Sequence, residues 1–317
     1  MLVTGDRIGD ALLKWPAIVG LRSRLPQCHI TWIAGRRASV FCGPFAELAS
    51  GTIDRAVDFA SLGANWLELF RPPPEYSADI VISTEPKMRD AILAKRIPHQ
   101  RFISPAANFF FSDAKPAQSF APSSVAERLQ QLFELAIEQP IELHDKVEIK
   151  QALISSAAAI LGNKDDYIGF SPGAGGKSKR WPLENFLAVA SEQEKLGRTP
   201  VFFLGPDEEH MLSDIRSKVP NAVFPEFDDQ FQRRAGALFS IALAKFMQVS
   251  LANDAGGGHL LSAGGQPLVT LYGHTNAKKF SPRYGRHHAI TATAFGSQDM
   301  DVIPVTAVLE AIEQMLP

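Results

Sequence analysis

Short apolar runs alternate with stretches whose apolar residues recur every three or four positions, along almost all of the 317 residues. Strand signals followed by helix signals, repeated in this way, predict a parallel α/β sheet. Met1–Thr4 reads as a short strand that stops at Gly5. From Asp10 to Leu25, Ala11, Leu12, Trp15, Ile18, Val19 and Leu21 keep helical spacing, and Pro26 closes the segment. Further strands are predicted at His29–Ile33, Arg55–Asp58 and Asp79–Ser83, and helices at Val40–Leu48, near Met88–Arg96, at Val125–Ile137 and at Ala152–Leu161. Arg71–Glu75, with its three prolines, is a loop. Ser104–Pro122 carries no period; its Phe109–Phe111 run either lines a pocket or plugs the core.

After Gly162 the alternation restarts. Tyr167–Ser171, Pro200–Gly205, Gln248–Ala252 and Pro267–Tyr272 are predicted strands; Leu183–Leu196, Met211–Lys218, Phe239–Lys245, the segment from His259 and Val305–Leu316 are predicted helices. This places a domain boundary near Gly162–Asp166, between a first domain 1–162 and a second 163–317. Two successive α/β halves imply a ligand cleft between them.

Composition narrows the class. Lys+Arg total 32 against Asp+Glu 34, a net charge of −2, so no global positive field recruits nucleic acid. Two cysteines, Cys28 and Cys42, exclude a disulfide-stapled domain and a cysteine-rich zinc site. No 18-residue apolar run suits a bilayer span, and Asp6, Arg7 and Asp10 spoil a signal peptide, so a cytoplasmic setting is expected. Residues 1–110 hold 13 basic and 10 acidic side chains, a mild surplus suited to an anionic partner.

Four turns follow predicted strands, where open parallel sheets place their ligands. In Gly5-Asp6-Arg7-Ile8-Gly9-Asp10, Asp10 either caps the helix or serves as a carboxylate base. Ser171-Pro172-Gly173-Ala174-Gly175-Gly176-Lys177-Ser178-Lys179-Arg180-Trp181-Pro182 is a glycine-rich basic turn suited to phosphate. It nearly matches a P-loop, with Ser171 at the first glycine position, although Pro182 fits a helix that starts later. Asn253-Asp254-Ala255-Gly256-Gly257-Gly258-His259 offers backbone N–H groups to a diphosphate, with His259 either a ligand contact or a core histidine. In Leu204-Gly205-Pro206-Asp207-Glu208-Glu209 an acid either holds ribose hydroxyls or caps a helix. Asp299-Met300-Asp301 is read as a chance D-x-D, and His287-His288 and Asp165-Asp166 as solvated loops, so no metal site is expected. No G-x-G-x-x-G follows a strand, which disfavours a dinucleotide dehydrogenase.

Taken in order, these blocks resemble glycosyltransferase family 9, the ADP-heptose:lipopolysaccharide heptosyltransferases. The resemblance rests on Gly9-Asp10 with Lys14-Trp15-Pro16-Ala17; Ser171-Pro172-Gly173-Ala174 with Ser178-Lys179-Arg180-Trp181-Pro182; Leu204-Gly205-Pro206-Asp207-Glu208; Asn253-Asp254-Ala255-Gly256-Gly257-Gly258-His259-Leu260-Leu261; and Leu271-Tyr272-Gly273-His274-Thr275. It implies a GT-B fold: two Rossmann-like domains with parallel sheets facing a central cleft, acceptor on 1–162 and sugar nucleotide on 163–317. The helix 305–316 would pack back towards the first domain. The implied chemistry is inverting and metal-independent transfer of a heptose or other hexose-like sugar from ADP-heptose to a lipopolysaccharide-core acceptor, in a bacterial cytoplasm and peripheral to the inner membrane.

Carried over by position, Asp10 falls on the catalytic base and Lys179 on the lysine that holds the diphosphate and acts in catalysis. Ala174, Gly175, Asp207, Asp254, Gly256, Gly257, Gly258 and His259 fall on the donor site. Arg7, Lys14, Arg36, Arg37, Lys87 and Arg89 are the expected acceptor contacts. No resident cofactor is implied beyond the nucleotide-sugar co-substrate. Ala255 and His274 depart from the family's usual Ser/Thr and Pro. Two other readings are a P-loop hydrolase built on Ser171–Ser178 and a degenerate transferase that only binds sugar nucleotides.

Overall fold

The computed structural model describes residues 1–317 except 5, 6, 36, 37, 61, 63–65, 71–74, 163 and 228–235. The chain divides into two compact units, Met1–His144 and Asp145–Pro317. The helix Gln151–Leu161 therefore belongs to the second unit, where its buried Ala157 and Leu161 pack with the helix Ala237–Ala244. That contact moves the division ahead of the glycine at 162, the point the sequence pattern marks.

The first unit carries β1 (Leu2–Thr4), β2 (Thr31–Ala34), β3 (Arg55–Val57), β4 (Ala78–Ser83) and β5 (His99–Ile103). They form one parallel sheet in the order β3-β2-β1-β4-β5. In the second unit, β6 (Tyr167–Ser171), β7 (Thr199–Phe202), β8 (Val249–Asn253), β9 (Leu268–Tyr272) and β10 (His287–Thr291) form a second parallel sheet in the order β10-β9-β8-β6-β7. The α/β class with parallel sheets stands as expected. Strand order reverses at β1/β4 in one sheet and at β6/β8 in the other. These are the switch points where doubly wound sheets open a crevice at their carboxyl ends.

Both central β6 and β8 are buried at every position, and read as continuous apolar runs because helices cover both sheet faces. β5 and β10 lie at sheet edges with exposed or half-buried polar positions, so their sequences, HQRFI and HHAIT, give no apolar run to find. His287-His288, read as a solvated loop, is the start of β10, registered against Leu268 and Val269. The predicted helix Val40–Leu48 is broken into a 3₁₀ turn, Val40–Cys42, and a short helix, Ala46–Ala49, because Gly43-Pro44 interrupts it. Phe109 plugs the core edge-on to Phe120, while Phe110 points to solvent.

The closing helix, Val305–Met315, buries Val308, Ala311, Ile312 and Met315 against its own unit's helix Leu183–Lys195 and strands β8–β10. Glu313 adds a carboxylate–guanidinium pair with Arg198 just before β7. The apolar stripe of this helix is part of the second unit's core.

Candidate active site

In the first unit the helix Ile8–Arg24 starts directly after β1. Its cap is Arg7, whose backbone is extended and whose side chain makes no capping bond, so Asp10 sits at the third helical position. This excludes the capping role for Asp10 and leaves a half-buried carboxylate in the first turn, where the helix dipole favours negative charge. Lys14, one turn on, is not a surface cation. It is 8% exposed, its Nζ lies 3.9 Å from Glu85 Oε1, and it stands 5.9 Å from the centre of the Trp32 ring. Lys14 is thus more deeply buried than the other expected acceptor residues that the structure describes.

Glu85 follows β4 at the same switch point, and Arg128 joins it from the helix Val125–Ile137. Arg128 Nη2 donates to the Thr84 carbonyl at 3.1 Å; burial pulls its guanidinium below the usual range while Glu85 pushes back. Neither residue stands out in the sequence: Glu85 is one acid after a strand, and Arg128 lies 44 residues beyond Thr84, to which it donates. Arg7 and Lys87 are exposed, and Arg89 is half-buried with Nε 3.4 Å from Asp90 Oδ1. Arg36 and Arg37 lie outside the described residues.

In the second unit, two of the glycine-bearing turns meet at the ends of β6 and β8. Lys179 Nζ donates to Asp254 Oδ2 at 2.8 Å and to the Asp254 carbonyl at 3.3 Å. The Asp254 side chain is 5% exposed and that of Lys179 is 32% exposed. An ammonium has three N–H donors, so the pair leaves Lys179 with one to offer outward. Asn253, fully buried, ties the basic loop at both ends: its Oδ1 accepts from Trp181 N at 3.1 Å and its Nδ2 donates to the Pro172 carbonyl at 2.7 Å. Arg180 Nε closes the same loop on the Ala174 carbonyl at 2.8 Å. Ala174 is buried and Gly175 exposed at the tip.

The three glycines at 256–258 have a packing reason as well as an open backbone. A Cβ on Gly257 would lie 2.1 Å from Ser171 Oγ, and one on Gly258 would lie 2.9 Å from the Asn253 carbonyl oxygen. The helix Gly256–Ala263 is thereby pressed onto β6 and β8. Its cap, Ala255, makes no side-chain bond to the first turn, so the leading N–H groups have no capping oxygen from it. His259 is buried, one turn into that helix.

Of the acidic turn after β7, Asp207 is exposed. Glu208 folds inward, accepting from Gly205 N at 3.1 Å and lying where a Cβ on Gly173 would go, 2.6 Å away. Glu226 supports the turn from below, accepting from Leu204 N at 2.7 Å and from Ser240 Oγ at 2.8 Å. Burial pushes its carboxyl up to about 7. Asn253 and Glu226 were not singled out by sequence; Asn253 alone left a trace, as the first residue of its motif.

The P-loop reading fails on this geometry. Lys177 is exposed in a 3₁₀ turn, Lys177–Lys179, and the helix begins only at Leu183, after Pro182. A P-loop lysine sits where its helix starts, so that phosphates meet the helix N-terminus. Among the described residues no group of three or more His, Cys, Asp or Glu is placed to hold a metal ion.

Comparison with known proteins gives the family and the fold. The model of glycosyltransferase family 9 (heptosyltransferase) matches residues 66–301. The chain is 30% identical over 127 residues to a lipooligosaccharide heptosyltransferase 2 of Haemophilus influenzae, a match spanning 40% of this chain and 35% of that one, about a third of the relative's length. A family 9 glycosyl transferase from Veillonella parvula superposes with a TM-score of 0.74 at 22% identity, covering 99% of this chain and 96% of its own. The E. coli heptosyltransferase WaaC with ADP-2-deoxy-2-fluoro heptose superposes with a TM-score of 0.69 at 17% identity, covering 99% and 98%. These likenesses show the GT-B fold.

Proposed function

The chain belongs to glycosyltransferase family 9 (heptosyltransferase), and on that premise we propose that it moves a heptose from ADP-heptose to a lipopolysaccharide-core saccharide. The observation that carries the donor half is the Lys179–Asp254 pair, sealed on the acid side and open on the ammonium side, beside an uncapped glycine helix start. A relative of the same fold holds an ADP-linked heptose analogue, which supports the adenine nucleotide.

In this reading the diphosphate lies across the Ala174–Gly175 turn, Lys179 and the leading N–H groups of Gly256–Gly258, with His259 beneath and Asp207 at the ribose. Asp10 accepts the proton of the acceptor hydroxyl as its oxygen attacks the anomeric carbon. The bond to the donor diphosphate breaks on the opposite face, so configuration inverts. Charge gathers on the departing diphosphate, and the strongest help a protein gives is a donor already aimed at it. Lys179 and the backbone N–H groups are such donors, and the proposed reaction needs no metal ion. Arg7, Lys87 and Arg89, with Arg36 and Arg37, meet an anionic acceptor. No described helix is long and apolar enough to cross a membrane; we place the enzyme in the cytoplasm, peripheral to the inner membrane where a lipid-borne acceptor is found.

The test is thermal shift against ADP, UDP, GDP and CMP and their sugars, followed by transfer assays with and without a chelator. Selective stabilisation by ADP, and transfer that survives the chelator, are expected. Selectivity for UDP would redirect the donor, and donor binding without transfer to any core acceptor would make the chain a binding protein.

A further inference from the structure

The strand β7 lies at the edge of the second sheet, and its outer side is closed partly by a side chain. Val223 pairs with that side first: it donates to the Pro200 carbonyl at 2.9 Å and accepts from Phe202 N at 2.9 Å. The next N–H on the same side, that of Leu204, goes instead to Glu226 Oε2 at 2.7 Å. The other carboxylate oxygen, Oε1, accepts from Ser240 Oγ at 2.8 Å, on the helix Ala237–Ala244. A carboxylate thus takes the ladder place of a carbonyl just where the strand gives way to the acidic turn.

The following N–H, that of Gly205, goes to a second carboxylate, Glu208 Oε2, at 3.1 Å. Successive amides of an extended chain point to opposite sides, so the two acids grip the turn between them. Glu208 in turn lies against Gly173, where a Cβ would meet its Oε1 at 2.6 Å. One chain of contacts therefore runs from the helix Ala237–Ala244 through Glu226, the turn and Glu208 to the loop that carries Ala174 and Lys179. The three donors, Leu204 N, Ser240 Oγ and Gly205 N, are all neutral. The helix Ala237–Ala244 holds no charged residue, and Val219–Phe227 holds none besides Glu226. Arg216 is turned onto the Phe224 ring, Asp207, Glu209 and His210 are exposed, and Asp228, Asp229, Arg233 and Arg234 lie outside the described residues. Among the described residues, Glu208 is the charge that faces Glu226. Burial first, and Glu208 more weakly, hold the Glu226 carboxyl up at about 7 against the pull of its two donors.

We propose that Glu226 is a positioning residue of the donor site, which sets the turn after β7 for the nucleotide and takes up a proton as the diphosphate binds. This rests on the donor reading above and adds a residue and a proton to it. The protonated acid keeps the grip: its carbonyl oxygen accepts from Leu204 N, and its hydroxyl donates to Ser240 Oγ. The Ser240 proton then turns to the Gly236 carbonyl, at 3.4 Å. A diphosphate ester brings negative charge to a region that already holds Glu208, so the neutral form of Glu226 is favoured once the donor is bound. The proton comes from solvent and returns there when the nucleotide leaves.

Calorimetric titration with ADP-heptose tests both parts, because its esterified diphosphate does not itself titrate near neutrality; UDP-glucose is the second probe. Wild-type affinity should weaken about tenfold as pH rises from about 6 to about 9. Near pH 7 the binding heat should change with the ionisation enthalpy of the buffer, in the sense of proton uptake. Glu226→Gln imitates the protonated acid, so it should hold the low-pH affinity of the wild type throughout and lose the buffer dependence. Glu226→Ala removes the grip and should bind at least about fivefold more weakly than Glu226→Gln at every pH, since Leu204 N loses its acceptor. A wild type with flat affinity and no buffer dependence would overturn the proposal, as would the wild-type slope surviving in Glu226→Gln. Equal affinity of the alanine and glutamine variants would remove the positioning role; if the alanine variant fails to fold, the pH profile of Glu226→Gln decides. Binding of UDP-glucose in place of ADP-heptose would overturn the donor named above, while the same comparisons made with UDP-glucose still judge Glu226. Binding of neither would overturn both.

Discussion

The two switch points carry the same kind of pair with its burial reversed. In the first unit the lysine is sealed: the Lys14 side chain is 10% exposed and its partner Glu85 36%. In the second the acid is sealed: Asp254 is 5% exposed and Lys179 32%. In the first pair the lysine is the buried member and the acid lies towards the rim. A sealed acid with a lysine at the rim holds a cation in place while leaving a donor free. The contact is also closer in the second unit, 2.8 Å against 3.9 Å. In the function proposed above, the first unit supplies the carboxylate at its first helical turn and the second supplies donors for the diphosphate.

The largest effect that would test this division is on Asp10. Asp10→Asn should lower kcat by roughly 10²–10⁴-fold with ADP affinity unchanged; near-normal turnover would remove the base from the first unit. Next, Lys179→Met should cost roughly 10²–10³-fold in kcat and weaken ADP in calorimetric titration. It should also destabilise the fold by about 2 kcal/mol, because Asp254 is left buried without its cation. If rate and affinity hold, the pair is structural in both units and the comparison collapses.

Asn253→Ala comes third. It strands a buried N–H at Trp181 and a buried carbonyl at Pro172, and should cost about 2–4 kcal/mol in urea unfolding. Titration sharpens the picture of the second unit further. Burial holds His287 down at about 4, beside His259 and His288, so the unfolded chain binds more protons between about 4 and its ordinary value of 6.5. Its contribution is complete above 6.5 and is lost as pH falls through that window, up to about 3 kcal/mol. Glu226, raised to about 7 from 4.5, acts oppositely: its contribution is present below 4.5 and lost as pH rises through 7. The two slopes oppose one another. His287→Gln should therefore gain relative stability at pH 4.5 and Glu226→Gln at pH 7.5, each read from urea midpoints; parallel curves would show that neither group is buried as described. Smallest of all, Lys14→Met should cost about 1 kcal/mol or less, since Glu85 keeps contact with water. A loss as large as that of Lys179→Met would erase the asymmetry.

How legible the site was follows from chain distance. The glycine turns after β6 and β8 were visible because each is a local run at the end of an apolar strand. Asp10 was visible as a position, but that it is not the cap emerged only when Arg7 proved to hold that place. Glu85, Arg128, Asn253 and Glu226 were invisible because each acts on a residue far along the chain: Lys14, Thr84, Pro172 with Trp181, and Leu204. Lys14 misled because a lysine in a helix reads as a surface residue until its neighbours are known. The edge strands β5 and β10 escaped for a related reason, since a strand with one open side need not be apolar.

Periodicity and motif order thus determined the α/β class, the presence of two halves and the family, because these depend on short-range pattern and on blocks in sequence. Tertiary structure decided which side of each ion pair faces solvent. It also decided where the units divide and why Gly257 and Gly258 carry no side chain. Burial is a property of what packs above a residue, and that neighbour is set by the fold rather than by the local run.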